Sequence, residues 1–170
     1  MSQAVQIALN IVWLAAFPVA LSWMLSKFSP EAFKGPSFLF RQRRWEKEGR
    51  IYEKAGIKRW KDRLPEAGGW FRNGFPKNKL AGSKSTLLNR FILETNRGET
   101  AHWLQIFSAS AFFLWNEPFT ACIFMLYAIL FNLPFIAVQR YNRFRLIRTL
   151  EKRKTKERTP ITYRKARDHE

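Results

Sequence analysis

The chain has 170 residues, of which 46% are hydrophobic, yet it carries a formal net charge of +17. A soluble domain blends two such characters along its length, whereas here they separate into blocks, apolar in 4–25 and 103–138 and basic in 27–97 and 139–170. One cysteine, Cys122, excludes an intrachain disulfide framework and reads as a small buried hydrophobe.

Residues 4–25 hold no charged side chain and are long enough, at a helical rise, to cross a bilayer core of roughly 30 Å. Pro18 inside this run is compatible with a kinked membrane helix. A cleaved signal peptide is the competing reading, but MSQAVQ lacks a basic n-region and no small-x-small cleavage site follows. Lys27 and the basic block after it place the C-terminal end of this helix in the cytoplasm.

From Arg41 to Arg63 ten basic and four acidic residues mix with Trp45, Ile51, Tyr52, Ile57 and Trp60. That composition predicts an amphipathic helical segment at the cytoplasmic interface of the membrane, the alternative being a charged helix docked on the rest of the protein. Nucleic acid is the other usual partner of such charge, but no binding module accompanies it. Pro65, Gly68, Gly69, Gly74 and Pro76 predict a turn-rich bend. Gly82 to Thr86, GSKST, resembles the end of a phosphate-binding loop but has an extra residue between Gly and Lys and no preceding strand. It reads instead as a helix start, with Ser83 or Ser85 as the cap.

The helix that begins there is predicted to run to Trp115. Asn116, Glu117 and Pro118 then break it before the last apolar run, so 86–115 and 118–150 form an antiparallel helical hairpin. The fold class expected is therefore an all-α integral membrane protein forming one membrane domain of three spans, N-terminus outside and C-terminus cytoplasmic. A polar tail, 155–170, follows the last helix, and Thr159-Pro160 within it marks the expected end of order.

The hairpin sets depth. Counting a span of about 20 residues back from Trp115 reaches Asn96, which puts Arg97, Glu99 and His102 within the bilayer thickness. Positions at equal depth sum to about 233 for a hinge at 116–117, which sets His102 beside Phe131 and Asn132 and Glu94 beside Gln139 at the 1.5 Å helical rise. Intramembrane charged groups are costly unless they are used. A histidine can take a proton from a hydroxyl near neutral pH, a carboxylate can orient its ring, and arginine can stabilise an oxyanion or grip phosphate. These are the parts of an acyl transfer to an alcohol. With no nucleophilic Ser or Cys motif, direct transfer in a ternary complex is expected. His102 and His169 are the only histidines, which argues against a metal site. Mutual pairing of Glu94, Arg97, Glu99 and His102 at a helix interface is the purely structural alternative.

ETNRGETAHW at 94–103 and FNLPFIAVQRYNRFRL at 131–146 resemble the signature of the glycosyl-4,4'-diaponeurosporenoate acyltransferase family of staphyloxanthin-type carotenoid biosynthesis. WEKEGRIYEKAGIKRWKDRL at 45–64 is similar more loosely. The chain departs from the family pattern at Gly98, where Ala is expected, and at Phe144, where Pro is expected. The resemblance implies transfer of a fatty acyl group from a donor such as an acyl thioester to a hydroxyl of a glycosylated carotenoid or similar glycolipid. It implies a bacterial cell-membrane location and partners limited to lipids and the two substrates, with no cofactor. In that setting His102 is the expected general base, Glu99 its orienting partner, and Arg97 with Glu94 position thioester or sugar. Trp103, Asn132, Gln139, Arg140, Asn142 and Arg143 are the expected substrate-binding groups, helped by Lys58, Arg59 and Lys61 at the donor's phosphates. A non-catalytic lipid-binding or membrane assembly subunit is the alternative function.

Overall fold

A computed structural model describes residues 1–35, 37–64 and 85–158, and all the regular structure in them is helical. The predicted bend at 65–80, the caps at Ser83 and the boundary at Thr159-Pro160 lie outside the described residues.

Helix α1 spans Gln3–Ser26 and passes through Pro18 without interruption. Its 24 residues are about 36 Å long at the helical rise. The hairpin follows the expected plan with one change. Helix α5 runs Ser85–Ser108 and then tightens into a 3₁₀ stretch, Ala109–Leu114, where a continuous α-helix was expected. The turn falls at Asn116 and Glu117, and α6 starts at Pro118, where proline lacks only an N–H that the first turn would leave unused. It extends 41 residues to Arg158, with Pro134 inside it. Among the described residues two helices are long and apolar enough to cross a membrane, Gln3–Ser26 and the stretch Pro118–Thr155 of α6. The charges of α5 keep it from meeting the same test.

Helix α1 is tied to the tip of the hairpin by amides. Asn10 and Asn116 exchange hydrogen bonds of 2.9 and 2.8 Å, Trp115 Nε1 donates to Asn10 Oδ1 at 2.7 Å, and Gln6 donates to Asn116 Oδ1 and to the Trp115 carbonyl at 3.0 Å. Unpaired amides in such apolar surroundings would each cost several kcal/mol on the order of a lost hydrogen bond plus desolvation, so satisfaction fixes the docking. Trp13 and Phe17 stack beneath this cluster, and Trp13 meets the edge of Trp115. At the other end of α1, Leu21 and Leu25 pack with Phe33 and Ala101. Helix α1 therefore runs antiparallel to α5 from the hairpin tip to the level of Ala101.

The segment from Pro30 to Arg63 is not the single amphipathic helix expected for 41–63. It is a chain of short pieces: 3₁₀ turns at Pro30–Lys34, Arg44–Gly49 and Lys61–Arg63, with short helices α2 (Ser37–Phe40), α3 (Arg50–Lys54) and α4 (Ile57–Trp60) between them. Tyr52 and Ile57 are buried against Val138, Tyr141 and Phe144 of α6, so this segment is docked on the hairpin's base. Trp45 and Phe38 stay exposed on its outer side. Its bend is made by three consecutive left-handed residues, Lys47 (φ 46°), Glu48 (φ 57°) and Gly49 (φ 86°). Left-handed backbone is unfavourable for Lys and Glu and persists where neighbouring contacts over-determine it. Gly49 also lies against α6, where a Cβ would meet Phe144 Cβ at 3.4 Å.

Candidate active site

The depth count brings His102 and Asn132 together as expected. His102 Nδ1 lies 2.8 Å from Asn132 Oδ1, and Asn132 Nδ2 donates to the Ala128 carbonyl at 2.8 Å. The second bond fixes the amide orientation, so its oxygen faces the ring. A carbonyl oxygen only accepts, which requires Nδ1 to carry the proton and makes Nε2 the unprotonated nitrogen of the neutral ring. The ring stacks on Phe135 at 4.8 Å and 18°. Gln105, one turn along α5, is also within hydrogen-bonding reach of the imidazole.

Among the described residues no glutamate is bonded to His102. Glu99, expected as its orienting partner, is fully buried and belongs to a different cluster. Its Oε1 accepts from Arg140 Nη1 at 2.7 Å and from Trp103 Nε1 at 3.4 Å, and its Oε2 lies 2.6 Å from Arg143 Nη2. Glu99 and His102 are three positions apart on one helix, yet α6 presents arginines opposite one and an amide opposite the other. The carboxylate follows the stronger partner.

Arg140 uses every N–H it has. Nε and Nη2 donate to the two oxygens of Glu46 at 2.6 and 2.9 Å. Nη1 donates to Glu99 and to the Leu39 carbonyl at 3.0 Å, and Nη2 also donates to the Arg41 carbonyl at 2.9 Å. A guanidinium has five donors, so none is left for a substrate phosphate. Arg143 donates to Asn96 Oδ1 at 2.9 Å and lies between the rings of Phe40 and Phe144. The two arginines expected at the donor's phosphates are thus bound inside the protein.

Glu46, which the sequence reading did not single out, is the hub of this cluster. Tyr52 donates to its Oε1 at 2.5 Å and the Arg43 amide to its Oε2 at 2.5 Å. Burial alone would raise its pKa, but the bonds from Arg140, the Arg43 amide and Tyr52 together hold it below the usual carboxylate range. Burial, together with the Glu46 carboxylate, pushes the Tyr52 phenol well above its ordinary range. The only local signal for Glu46 was its place in an otherwise basic run, because its partner lies 94 residues away.

The remaining expected residues fall elsewhere. Glu94 and Arg97 pair with each other at 2.5 Å. Ala101, one turn from Arg97 on the same face, packs against Leu21, Leu25 and Phe33, so this pair faces the α1 side while His102 faces α6. Glu94 Oε1 and Arg97 Nη1 are buried without a hydrogen-bond partner among the described residues. Gln139 does not lie beside Glu94 but packs on Gly98, where a Cβ would fall 2.8 Å from its Nε2. The missing side chain lets the glutamine occupy that space. Asn142 is half-buried one turn below Val138. Lys58, paired with Glu53 at 2.9 Å, and Arg59 are exposed on the outer face of the docked segment, while Lys61 pairs with Asp62 and its side chain is largely buried. No group of three or more metal-binding side chains occurs among the described residues.

The family described as glycosyl-4,4'-diaponeurosporenoate acyltransferase matches residues 36–152. The chain belongs to that family. Relatives bearing the same name include one from Staphylococcus haemolyticus, 32% identical over 129 residues covering 75% of each chain. Another, from Staphylococcus aureus, is 27% identical over 145 residues covering 79% of this chain and 87% of the relative. Membership makes the chain an acyltransferase, and the matched region includes Glu46, His102, Asn132 and the whole arginine cluster. No solved structure matches.

Proposed function

We propose that this acyltransferase moves a fatty acyl group from a thioester donor to a sugar hydroxyl of a glycosylated C30 carotenoid acid, with His102 as general base. The observation that carries the reading is the His102–Asn132 bond, which fixes the tautomer whose Nε2 can accept a proton. In the reaction the acceptor hydroxyl gives its proton to Nε2 as its oxygen attacks the thioester carbonyl. The tetrahedral intermediate then expels thiolate, which takes the proton back from the imidazolium. Gln139, on the same ridge of α6 as Phe135, supplies an amide for the oxyanion or the sugar. Asn132 acts through the ring, with one N–H of its amide given to the Ala128 carbonyl.

The cluster of Glu46, Glu99, Arg140 and Arg143 holds the docked segment 30–63 against the hairpin and so shapes the site without touching the reacting atoms. Glu94 and Arg97, with polar atoms still unmet, are placed to contact the donor from the α1 side. The orientation that fits the charge is three spans with the hairpin tip and N-terminus outside, because the basic residues of 41–63 and 140–158 collect at the opposite end. The reacting centre then lies at the cytoplasmic membrane interface.

Purified protein in vesicles, supplied with palmitoyl-CoA and a glucosyl ester of 4,4'-diaponeurosporenoic acid, should form the acylated product. His102→Ala should reduce that rate by at least about a hundredfold, the usual scale of a lost general base, with folding intact. Unchanged turnover in that variant would exclude His102 as the base.

A further inference from the structure

Helix α6 carries an aromatic ridge that the chemistry above does not use. Tyr127, Phe131 and Phe135 follow at intervals of four residues. Tyr127 and Phe131 stack at 5.7 Å and 21°, and Phe131 and Phe135 pack at 5.4 Å. Phe135 then stacks on His102, so four rings run in unbroken contact from the apolar middle of α6 to the proposed base. The three α6 rings cover eight residues of helix, about 12 Å along its axis. Tyr127 and Phe131 are 51% and 50% exposed, so the upper half of the ladder has a free face.

Its neighbours show that aromatic rings are not a general requirement of this surface. Leu126 and Leu130, just beside the ridge, are 57% and 62% exposed and aliphatic. Flexible acyl chains of bulk lipid cover such leucines without geometric demands. A row of rings in contact, two of the three pairs near-parallel and the Phe131–Phe135 pair tilted by 44°, instead presents a rigid, polarisable aromatic strip along one line, a surface suited to a straight conjugated chain. The row also ends at the imidazole, and the next residue on the same ridge, Gln139, is polar. A ligand with a rigid unsaturated rod and a sugar at one end would lay the rod on the rings and bring the sugar to His102.

We propose that Tyr127 and Phe131 form a rail for the polyene of the acceptor and thereby select conjugated glycolipids over saturated ones. This rests on the acceptor reading given above. The rail positions the acceptor; it takes no part in proton transfer.

The test uses the full chain in nanodiscs of dimyristoyl phosphatidylcholine with two probes, glucosyl 4,4'-diaponeurosporenoate and glucosyl palmitate. Binding of the first is read from the circular dichroism induced in its visible band and from equilibrium titration, and binding of the second by titration alone. In the double variant Y127L/F131L, polyene affinity should fall about tenfold, the scale of two lost ring contacts, and the induced signal should collapse. Palmitate affinity should stay within about twofold of the parent on the same scale. Ring-retaining Y127F/F131Y should bind the polyene as the parent does, which separates the rail from a folding defect. Polyene binding unchanged in Y127L/F131L would overturn the rail alone. Equal weakening of both probes, or an equal loss in L126A/L130A, would reduce the ridge to ordinary lipid contact and overturn it as well. A parent protein that binds glucosyl palmitate but not the polyene would overturn the acceptor reading together with the rail.

Discussion

Two polar clusters sit between α5 and α6 within a few residues of one another, and they are built in opposite ways. Around Arg140 every donor is matched, by Glu46, Glu99 and two backbone carbonyls, and the charges are buried. Around His102 there are the amide of Asn132, that of Gln105 within reach, one stacked ring and a nitrogen without a proton. Arg140 has no donor left for a substrate, although Arg143 Nε and Nη2 make no hydrogen bond among the described residues, while the imidazole has a nitrogen that can take a proton. Charge inside an apolar helix pair therefore marks a place worth attention without saying what it does. The unspent valence of each group decides that.

The comparison breaks most visibly at Arg140. Replacing it by Met leaves Glu46 and Glu99 buried without their shared cation, and loss of one partner of a buried pair costs roughly 3–5 kcal/mol. R140M should fail to hold segment 30–63 on the hairpin, read as a large loss of thermal stability and new proteolytic cleavage near Arg41 to Arg50. Asn132→Leu strikes the other cluster and should act on the rate. Loss of the bond that sets the tautomer should lower turnover by about tenfold, the scale of one hydrogen bond, with stability changed far less than in R140M. Measuring both variants for unfolding and for ester formation separates the two roles.

A weaker effect is expected from pH. The Glu46 carboxyl is held below its ordinary value of 4.5 in the folded protein. Its contribution to stability should be complete above that value and disappear as pH falls through the lower folded value. Thermal unfolding followed from pH 7 downward should show the loss only below 4.5, and Glu46→Gln should remove that part of the dependence. The smallest change is expected for Gly98→Ala. The helix gains roughly 0.5–1 kcal/mol from alanine, while Gln139 must swing away from the new Cβ. Stability should stay within about 1 kcal/mol of the parent. The Michaelis constant for the acceptor, which Gln139 is proposed to contact, should move more than the melting temperature.

Much of this was open to sequence reasoning because the hairpin is governed by local rules. Pro118 after Asn116-Glu117 fixes the turn, the turn fixes depth, and depth pairs His102 with Asn132. The same reasoning misplaced Gln139 by four residues, because it has no means of knowing that a glycine at 98 opens a space for it. It also gave Glu99 to His102 on the grounds of one helical turn, when spacing along one helix says nothing about what the facing helix brings. Glu46 and the left-handed bend at Lys47 to Gly49 were invisible for a related reason. They are determined by Arg140 and Phe144, which are distant in sequence, and the basic composition of 41–63 reads as a surface helix. The family's departures acquire a physical sense here too: Phe144 is a buried ring between the two arginines and Gly49, a contact proline could not make.

The division between a structural arginine cluster and a reactive histidine is tested most directly by comparing H102Q with E99Q in the same vesicles. Acyl transfer from palmitoyl-CoA to the glucosyl carotenoid is measured per folded molecule. H102Q should fold like the parent and lose at least about a hundredfold in rate. E99Q should fold poorly, but its folded fraction should turn over within about threefold of the parent, because Glu99 acts on architecture and not on the proton. The opposite pattern, an active H102Q beside a stable but inactive E99Q, would contradict this account.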